Sequence, residues 1–317
     1  MPSEHLIDSE LKAALAFFPP MDFSPEALPA IRASLSEAAR FMPTPEGLPV
    51  SVETLTVPGP EASPPVRILA YRPTNVAGPL PALLYMHGGG YLIGTPDMAD
   101  AANRALAVEL GCAIFAVNYR LSPETVFPGA IEDCYAALKW LSGHASDLQI
   151  DARRIGVKGE SAGGGLAAAL ALLVRDRGEL SLAFQHLIYP MLDDRTCVTS
   201  DPHPFTGEFV WTPDKNRFAW AAYLGAAPGS ANISPYAAAA RAEDLAGLPP
   251  AFVSVGALDI FLEENLDYAR RLTRAGVPVE LHLYPGAYHG FEIAAAARVA
   301  TAAERDSKAF LRRALFG

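Results

Sequence analysis

Ile155-Gly156-Val157-Lys158-Gly159-Glu160-Ser161-Ala162-Gly163-Gly164-Gly165-Leu166 is the stretch on which the reading of this chain turns. It opens as a short apolar strand pattern and closes as the start of an alanine-rich helix running to Arg175. Between the two stands G-x-S-x-G, from Gly159 to Gly163. A serine on so sharp a strand-to-helix turn has a strained backbone. Side chains two residues to either side would collide with the turn, so glycine is needed there. The turn exposes the Ser161 hydroxyl beside a helix N-terminus, whose dipole favours developing negative charge. The pattern also occurs by chance, as a plain glycine-rich turn; the strand before and the helix after favour a nucleophile.

A nucleophilic serine needs donors for the oxyanion it creates. Upstream, His87-Gly88-Gly89-Gly90 follows the apolar run from Leu80 to Met86. Consecutive glycines let the N–H groups of Gly88 and Gly89 converge on one oxygen, and the N–H of Ala162 supplies a third donor. One such donor contributes roughly 3 kcal/mol of transition-state stabilisation. A dinucleotide fingerprint fails by position, because Ile93 stands where G-x-G-x-x-G needs its last glycine. No phosphate-loop motif is present.

The general base must be one of seven histidines. His186 and His282 lie in strand patterns, His144 ends a helix, His5 is near the terminus, His203 sits between prolines, and His87 belongs to the glycine loop. His289 lies in a short loop between the last strand and the last helix. The acid that orients it is expected after another strand end. Asp259 follows the apolar run Ala251 to Gly256, whereas Glu263 and Glu264 begin the next helix and serve its N-terminus. The order Ser161, Asp259, His289 differs from the orders of chymotrypsin-like and subtilisin-like enzymes.

Around these residues, strands and helices alternate. Strands are expected at 50–57, 66–72, 80–86, 113–118, 155–159, 182–189, 251–256 and 279–284. Helical patterns are expected at 101–110, 131–141, 162–175, 263–275 and 294–315. The fold class is therefore α/β, a mostly parallel sheet with helices on both faces. The first fifty residues lack strands; Ser24-Pro25-Glu26 reads as a helix start. Residues 193–229 break the alternation as a loop with one aromatic helix near Asn216 to Tyr223. Such insertions after strand ends grow into active-site covers.

Half of the 317 residues are hydrophobic and 19% are charged, enough for a large core and too apolar for disorder. A formal charge of −10 opposes binding to nucleic acid or anionic membranes. Cys112, Cys134 and Cys197 are odd in number and widely spaced, so buried inert thiols are expected rather than a disulfide framework or a metal site. The N-terminus is acidic and its apolar run ends at Pro19-Pro20, unlike a signal peptide. No run approaches the ~18 apolar residues of a membrane span. A cytoplasmic location is the expectation.

Taken together, the motifs make this sequence resemble the bacterial hormone-sensitive-lipase-like family of esterases. The pieces are His87-Gly88-Gly89-Gly90, Asn118-Tyr119-Arg120-Leu121-Ser122-Pro123-Glu124, Phe127-Pro128 with Glu132-Asp133-Cys134, Gly159 to Gly164, Tyr189-Pro190, Asp259 and His289-Gly290-Phe291. The resemblance runs from about Leu80 to the end. It implies the α/β-hydrolase fold with an eight-stranded sheet, hydrolysis of short acyl esters, no cofactor and no metal. It also implies a helical cap made of residues 1–49 and 193–229 over a catalytic domain of residues 50–192 and 230–317. A homodimer through an edge strand is a further expectation. Two departures stand out: Asp259-Ile260-Phe261 replaces the family's Asp-Pro-Leu, and Glu160 precedes the serine where aspartate is commoner.

In that frame Phe17, Phe18, Phe205, Phe209, Trp211 and Trp220 are candidate pocket walls, with Tyr91 facing the pocket beside the glycines. An aromatic pocket favours short aliphatic or aryl esters. Two other functions share the motifs: an amidase or peptidase with the same triad, and a non-catalytic small-molecule binder of the same fold.

Overall fold

The computed structural model describes all residues except Met1, Pro19, Pro20, Met42 and Ala62. Its eight strands, in chain order, are β1 (Val50–Val57), β2 (Val66–Pro73), β3 (Leu80–Met86), β4 (Ala113–Asn118), β5 (Ile150–Glu160), β6 (Gln185–Ile188), β7 (Ala251–Gly256) and β8 (Val279–Tyr284). They form one sheet in the order β1-β2-β4-β3-β5-β6-β7-β8. β2 runs antiparallel to both β1 and β4, and all other neighbours are parallel.

Helices explain why the central strands read as continuous apolar runs. They are α1 (Leu28–Arg40), α2 (Asp100–Leu110), α3 (Gly129–Gly143), α4 (Ala162–Arg177), α5 (Pro213–Leu224), α6 (Leu262–Arg274) and α7 (Arg298–Phe316). Every residue of β3 is buried, as parallel strands covered on both faces require. Alternate β3 side chains divide between the two layers. Ala82, Leu84 and Met86 join the cluster built on α3, α4 and α6. Leu83 and Tyr85 join α2 and α7 on the other face. α4 is buried from Ala162 to Val174, which accounts for its nearly uncharged sequence.

Several boundaries differ from the sequence expectation. β6 is short because Tyr189 turns out of the ladder at φ 33°. β5 begins earlier, at Ile150, with an irregularity in its pairing to β3. α1 begins at Leu28, not at Ser24. Ser24 instead makes a turn in which its Oγ accepts from the Ala27 N–H at 3.2 Å. The last helix starts at Arg298, after a 3₁₀ turn at Phe291–Ile293. Two further 3₁₀ turns, Glu4–Leu6 and Lys12–Phe17, precede α1.

Residues 193–229 leave the sheet after β6 and carry α5. Buried acids tie both ends of this excursion to the scaffold. Glu264 at the start of α6 accepts from the N–H groups of Leu192 at 2.6 Å and Asp193 at 3.3 Å, and from the Thr196 hydroxyl. Asp194 pairs with Arg241 at 2.8 Å and accepts from the Gly229 N–H at 2.6 Å. The N-terminal segment packs on the same region through the Phe23 ring, edge-on to Trp211 at 5.6 Å, and through Ser3 bonded to Glu208.

All three cysteines are free and buried, and burial pushes the Cys112 and Cys197 thiols up to about 12 and about 11. These thiols stay protonated and unreactive at neutral pH. Among the described residues, no helix is long and apolar enough to cross a membrane.

Candidate active site

β5 delivers Ser161 at the carboxyl edge of the sheet. Its backbone has φ 57° and ψ −121°, a strained conformation for a side chain larger than glycine. The strain is held by hydrogen bonds on both sides. The Ser161 N–H donates to Ile188 at 2.9 Å, and its carbonyl accepts from Gly165 at 2.9 Å and Met191 at 3.0 Å. The flanking glycines are obligatory. A Cβ on Gly159 would lie 2.1 Å from the Gly163 carbonyl oxygen, and one on Gly163 would lie 2.1 Å from that of Met86.

Two other strand ends supply the partners of Ser161. His289 Nε2 lies 3.0 Å from Ser161 Oγ, across 128 residues of chain. His289 Nδ1 lies 2.7 Å from Asp259 Oδ2. The other carboxylate oxygen, Oδ1, accepts from the Phe261 N–H at 3.0 Å, which fixes the carboxylate plane. Asp259 is fully enclosed, while Ser161 and His289 are 5% and 7% exposed. Bonds of Leu258 N–H to Ala287 at 2.9 Å and Ala257 N–H to Tyr284 at 2.9 Å hold the two loops side by side. With Asp259 accepting at Nδ1–H, Nε2 presents a lone pair to the serine hydroxyl. Glu263 and Glu264 stand elsewhere: Glu264 holds the Leu192–Thr196 segment.

The glycine loop closes over the serine. Gly88 lies against it, since a Cβ there would be 3.4 Å from Ser161 Cβ. Among the described residues, none accepts a hydrogen bond from the N–H of Gly88, Gly89 or Ala162. Gly89 and Gly90 have φ 121° and 62°, and a Cβ on Gly89 would lie 2.1 Å from the Ile93 carbonyl oxygen. Only glycine fits that approach.

The aromatic candidates separate into three groups. Trp211 stands beside the imidazole, 6.3 Å between ring centroids, and over Gly90, where a Cβ would come 2.4 Å from its ring. Phe18 touches the loop after His289, with a Gly290 Cβ 3.3 Å from its ring. Phe209 packs on that loop, its ring 6.1 Å from that of Tyr288. Tyr91 and Trp220 are core residues. Tyr91 stacks on Tyr223 at 4.0 Å and donates its hydroxyl to the Met191 carbonyl at 3.3 Å, so it packs behind the loop instead of facing a pocket. Phe17 and Phe205 are exposed at the surface.

Sequence reasoning missed several neighbours. Tyr189 and Phe261 meet His289 edge-on at 4.6 and 5.3 Å. Glu292, three residues after His289, has its carboxyl pushed up to about 8, by burial first and then by the Glu160 charge. Glu160 itself pairs with Lys158 Nζ at 2.5 Å and accepts from the Tyr85 hydroxyl at 3.2 Å. The strand alternation of Lys158 and Glu160 was a usable signal for their pairing. Tyr189 stood out only as part of Tyr189-Pro190, with no role attached, and Glu292 gave no signal.

Among the described residues, no cluster of three His, Cys, Asp or Glu side chains has metal-binding geometry.

A family model described as the alpha/beta hydrolase fold matches residues 83–293. The chain belongs to the hormone-sensitive-lipase-like family of that fold. The relatives it matches are named for ester hydrolysis. Carboxylesterase NlhH of Mycobacterium tuberculosis is 36% identical, covering 98% of this chain and 96% of its own. Ethyl acetate hydrolase of Pseudomonas putida is 34% identical over 72% of this chain and 71% of its own. Among solved structures, a bacterial heroin esterase superposes with a TM-score of 0.93 at 42% identity, covering 99% of both chains.

Proposed function

We propose that this hormone-sensitive-lipase-like chain is a serine carboxylesterase that hydrolyses short-chain acyl esters. The observation that carries the reading is the pair of contacts at one imidazole, 3.0 Å to Ser161 Oγ and 2.7 Å to Asp259. Relatives named for ester hydrolysis place the chain among carboxylic ester hydrolases.

The steps follow from the geometry. Ser161 Oγ attacks the ester carbonyl carbon while His289 Nε2 takes its proton. Asp259 holds the imidazole in the tautomer with hydrogen on Nδ1 and stabilises the imidazolium. The carbonyl oxygen becomes an oxyanion at the N–H groups of Gly88, Gly89 and Ala162. Collapse breaks the bond to the alcohol, which leaves with the proton from Nε2. Water then attacks the acyl-enzyme, gives a proton to the same nitrogen, and Ser161 regains it as the acid departs. No cofactor enters any step.

Substrate size follows from what stands over the serine. Trp211 and Phe18 wall the approach, and residues 1–49 and 193–229 supply them as a cap over a catalytic domain of residues 50–192 and 230–317. Short acyl groups fit beneath an indole so close to the imidazole. Release of p-nitrophenol across acetate, butyrate, octanoate and laurate esters tests this reading. Activity falling steeply beyond butyrate and absent in Ser161→Ala supports it. Equal turnover by wild type and Ser161→Ala contradicts it.

A further inference from the structure

The segment that follows the three glycines adopts an unusual backbone. Gly89, Gly90 and Tyr91 are three consecutive residues with positive φ, at 121°, 62° and 63°. Tyrosine at φ 63° is strained and persists only where its surroundings over-determine it. The bracing is visible. Leu92 and Ile93 donate their N–H groups to the Gly89 carbonyl at 3.0 and 3.1 Å, which fixes the peptide joining Gly89 to Gly90 and so holds Gly89 from its far side. The Tyr91 carbonyl accepts from the Ser122 N–H at 2.9 Å, tying the glycine loop to the loop after β4.

One side chain spans both loops from outside. Arg32, on α1, donates Nε to the Leu92 carbonyl at 2.7 Å and Nη2 to the Ser122 carbonyl at 2.5 Å. Its Nη1 meets the Glu124 carboxylate at 2.7 Å, and this contact holds that carboxyl below its usual range. Leu92 and Ser122 are 0% and 1% exposed. Their carbonyls would lose a charged donor, with little access to replacement water, if the guanidinium were gone. Only a planar fork serves three acceptors in this arrangement. α1 otherwise has a slight hold on the molecule, with Leu28 its single buried residue among those described and Ile31 and Leu35 partly buried.

We infer that Arg32 is a positioning residue for the oxyanion loop, so that docking of the N-terminal helix completes the geometry of the Gly88 and Gly89 N–H groups. The inference rests on the serine esterase reading above. It makes the N-terminal segment part of the catalytic apparatus and not only a wall of the pocket. The residue acts through Leu92, Ser122 and Gly89 and touches no reacting atom.

The test uses full-length wild type, Arg32→Lys, Arg32→Ala and Glu124→Gln. Three quantities are read: kcat and KM on p-nitrophenyl butyrate, inhibition by an alkyl trifluoromethyl ketone, and thermal unfolding. The ketone forms a tetrahedral oxyanion on the serine, so its affinity reports the hole. Arg32→Ala is expected to lower kcat/KM on the order of tenfold to a hundredfold, as small misplacements of reacting groups do. The ketone's inhibition constant should rise by a matching factor, while KM changes little. Millimolar guanidinium should restore part of the lost rate in Arg32→Ala. Arg32→Lys should fall between, because one ammonium cannot serve both carbonyls. Glu124→Gln should keep wild-type kcat, since Glu124 is exposed and its pairing is screened.

If Arg32→Ala does not fold, Arg32→Lys carries the test alone: a lowered kcat with weakened ketone binding supports the inference. Folded variants with unchanged kcat and unchanged ketone affinity overturn it. So does a loss confined to KM. Absent turnover in wild type would instead sink the esterase reading itself, which separates the two failures.

Discussion

The ring of Tyr189 meets the His289 imidazole edge-on, with centroids 4.6 Å apart and planes at 62°. Phe261 meets it from another direction at 5.3 Å and 83°. The imidazole is therefore held by two aromatic edges as well as by Asp259. Tyr189 reaches this place because it leaves β6 at φ 33°, with its N–H bonded to the Ser254 carbonyl at 2.6 Å. An aromatic pair of this kind contributes about 1 kcal/mol, equivalent to about fivefold in rate if all of it orients the base. Tyr189→Ala is expected to lower kcat by about that factor, and Tyr189→Phe to leave kcat near wild type. Steady-state kinetics on p-nitrophenyl butyrate would refute the bracing role if both variants matched wild type.

Glycine requirements at the nucleophile turn give a stability prediction with an internal control. A Cβ on Gly163 would meet the carbonyl oxygens of Met86 at 2.1 Å and His87 at 2.5 Å, both backbone atoms that cannot step aside. Gly143, at the end of α3, has open space around the same position and no positive φ. Gly163→Ala should be strongly destabilised and inactive. Gly143→Ala should be neutral or more stable by up to about 1 kcal/mol. Urea midpoints and circular dichroism measure both; a stable, active Gly163→Ala protein would show that the turn is looser than described.

Glu292 predicts a pH dependence of stability. Burial, the Glu160 charge on β5 and Asp259 before α6 all disfavour its ionised form, while bonding to its own backbone and to Tyr189 favours it. Its Oε2 has no hydrogen-bond partner among the described residues. The folded value, about 8, lies above the ordinary 4.5. Between those two pH values the folded chain holds a proton that the unfolded chain has released, so this group's contribution falls as pH rises. Below the lower value it has no effect. Glu292→Gln removes the titration, and its thermal midpoint relative to wild type should rise from pH 5 to about pH 8 and level off above it. A difference that stays constant across that range would mean the carboxyl is not held neutral.

If Trp211 walls the acyl site, its replacement changes chain-length preference. Its indole covers Gly90 and lies 6.3 Å from His289, and its Nε1–H is anchored to Asn216 Oδ1 at 3.2 Å. Trp211→Leu opens this space with a smaller cavity than alanine would. A methylene accommodated in an apolar pocket changes discrimination by about 1–3 kcal/mol. The ratio of kcat/KM for octanoate over acetate esters should therefore rise at least about tenfold. An unchanged ratio would place the acyl chain elsewhere.

Much of this arrangement was legible in the sequence. β3 and β7 were continuous apolar runs because both faces are covered, and their bounds were read to the residue. Ser161, Asp259 and His289 each follow a strand end, where side chains from separate segments converge at one edge of a parallel sheet. The aromatic surroundings of the site were less legible, because an aromatic side chain looks the same in sequence whether it stacks in a core, as Tyr91 does on Tyr223, or stands beside the His289 imidazole, as Trp211 does. Tyr189 was hidden because its placement depends on a single backbone turn. Arg32 was hidden because its three acceptors lie 60 to 92 residues away and two are main-chain carbonyls. Carbonyl acceptors carry no sequence signature.

The central claim is that Ser161 is the nucleophile activated by His289. The most direct measurement is mass spectrometry of the protein after treatment with diethyl p-nitrophenyl phosphate. One equivalent of p-nitrophenol should be released, with a single diethylphosphoryl group on the peptide bearing Ser161. His289→Ala should react far more slowly and Ser161→Ala not at all. An adduct on another residue, accompanied by loss of ester turnover while Ser161 stays unmodified, would contradict the account.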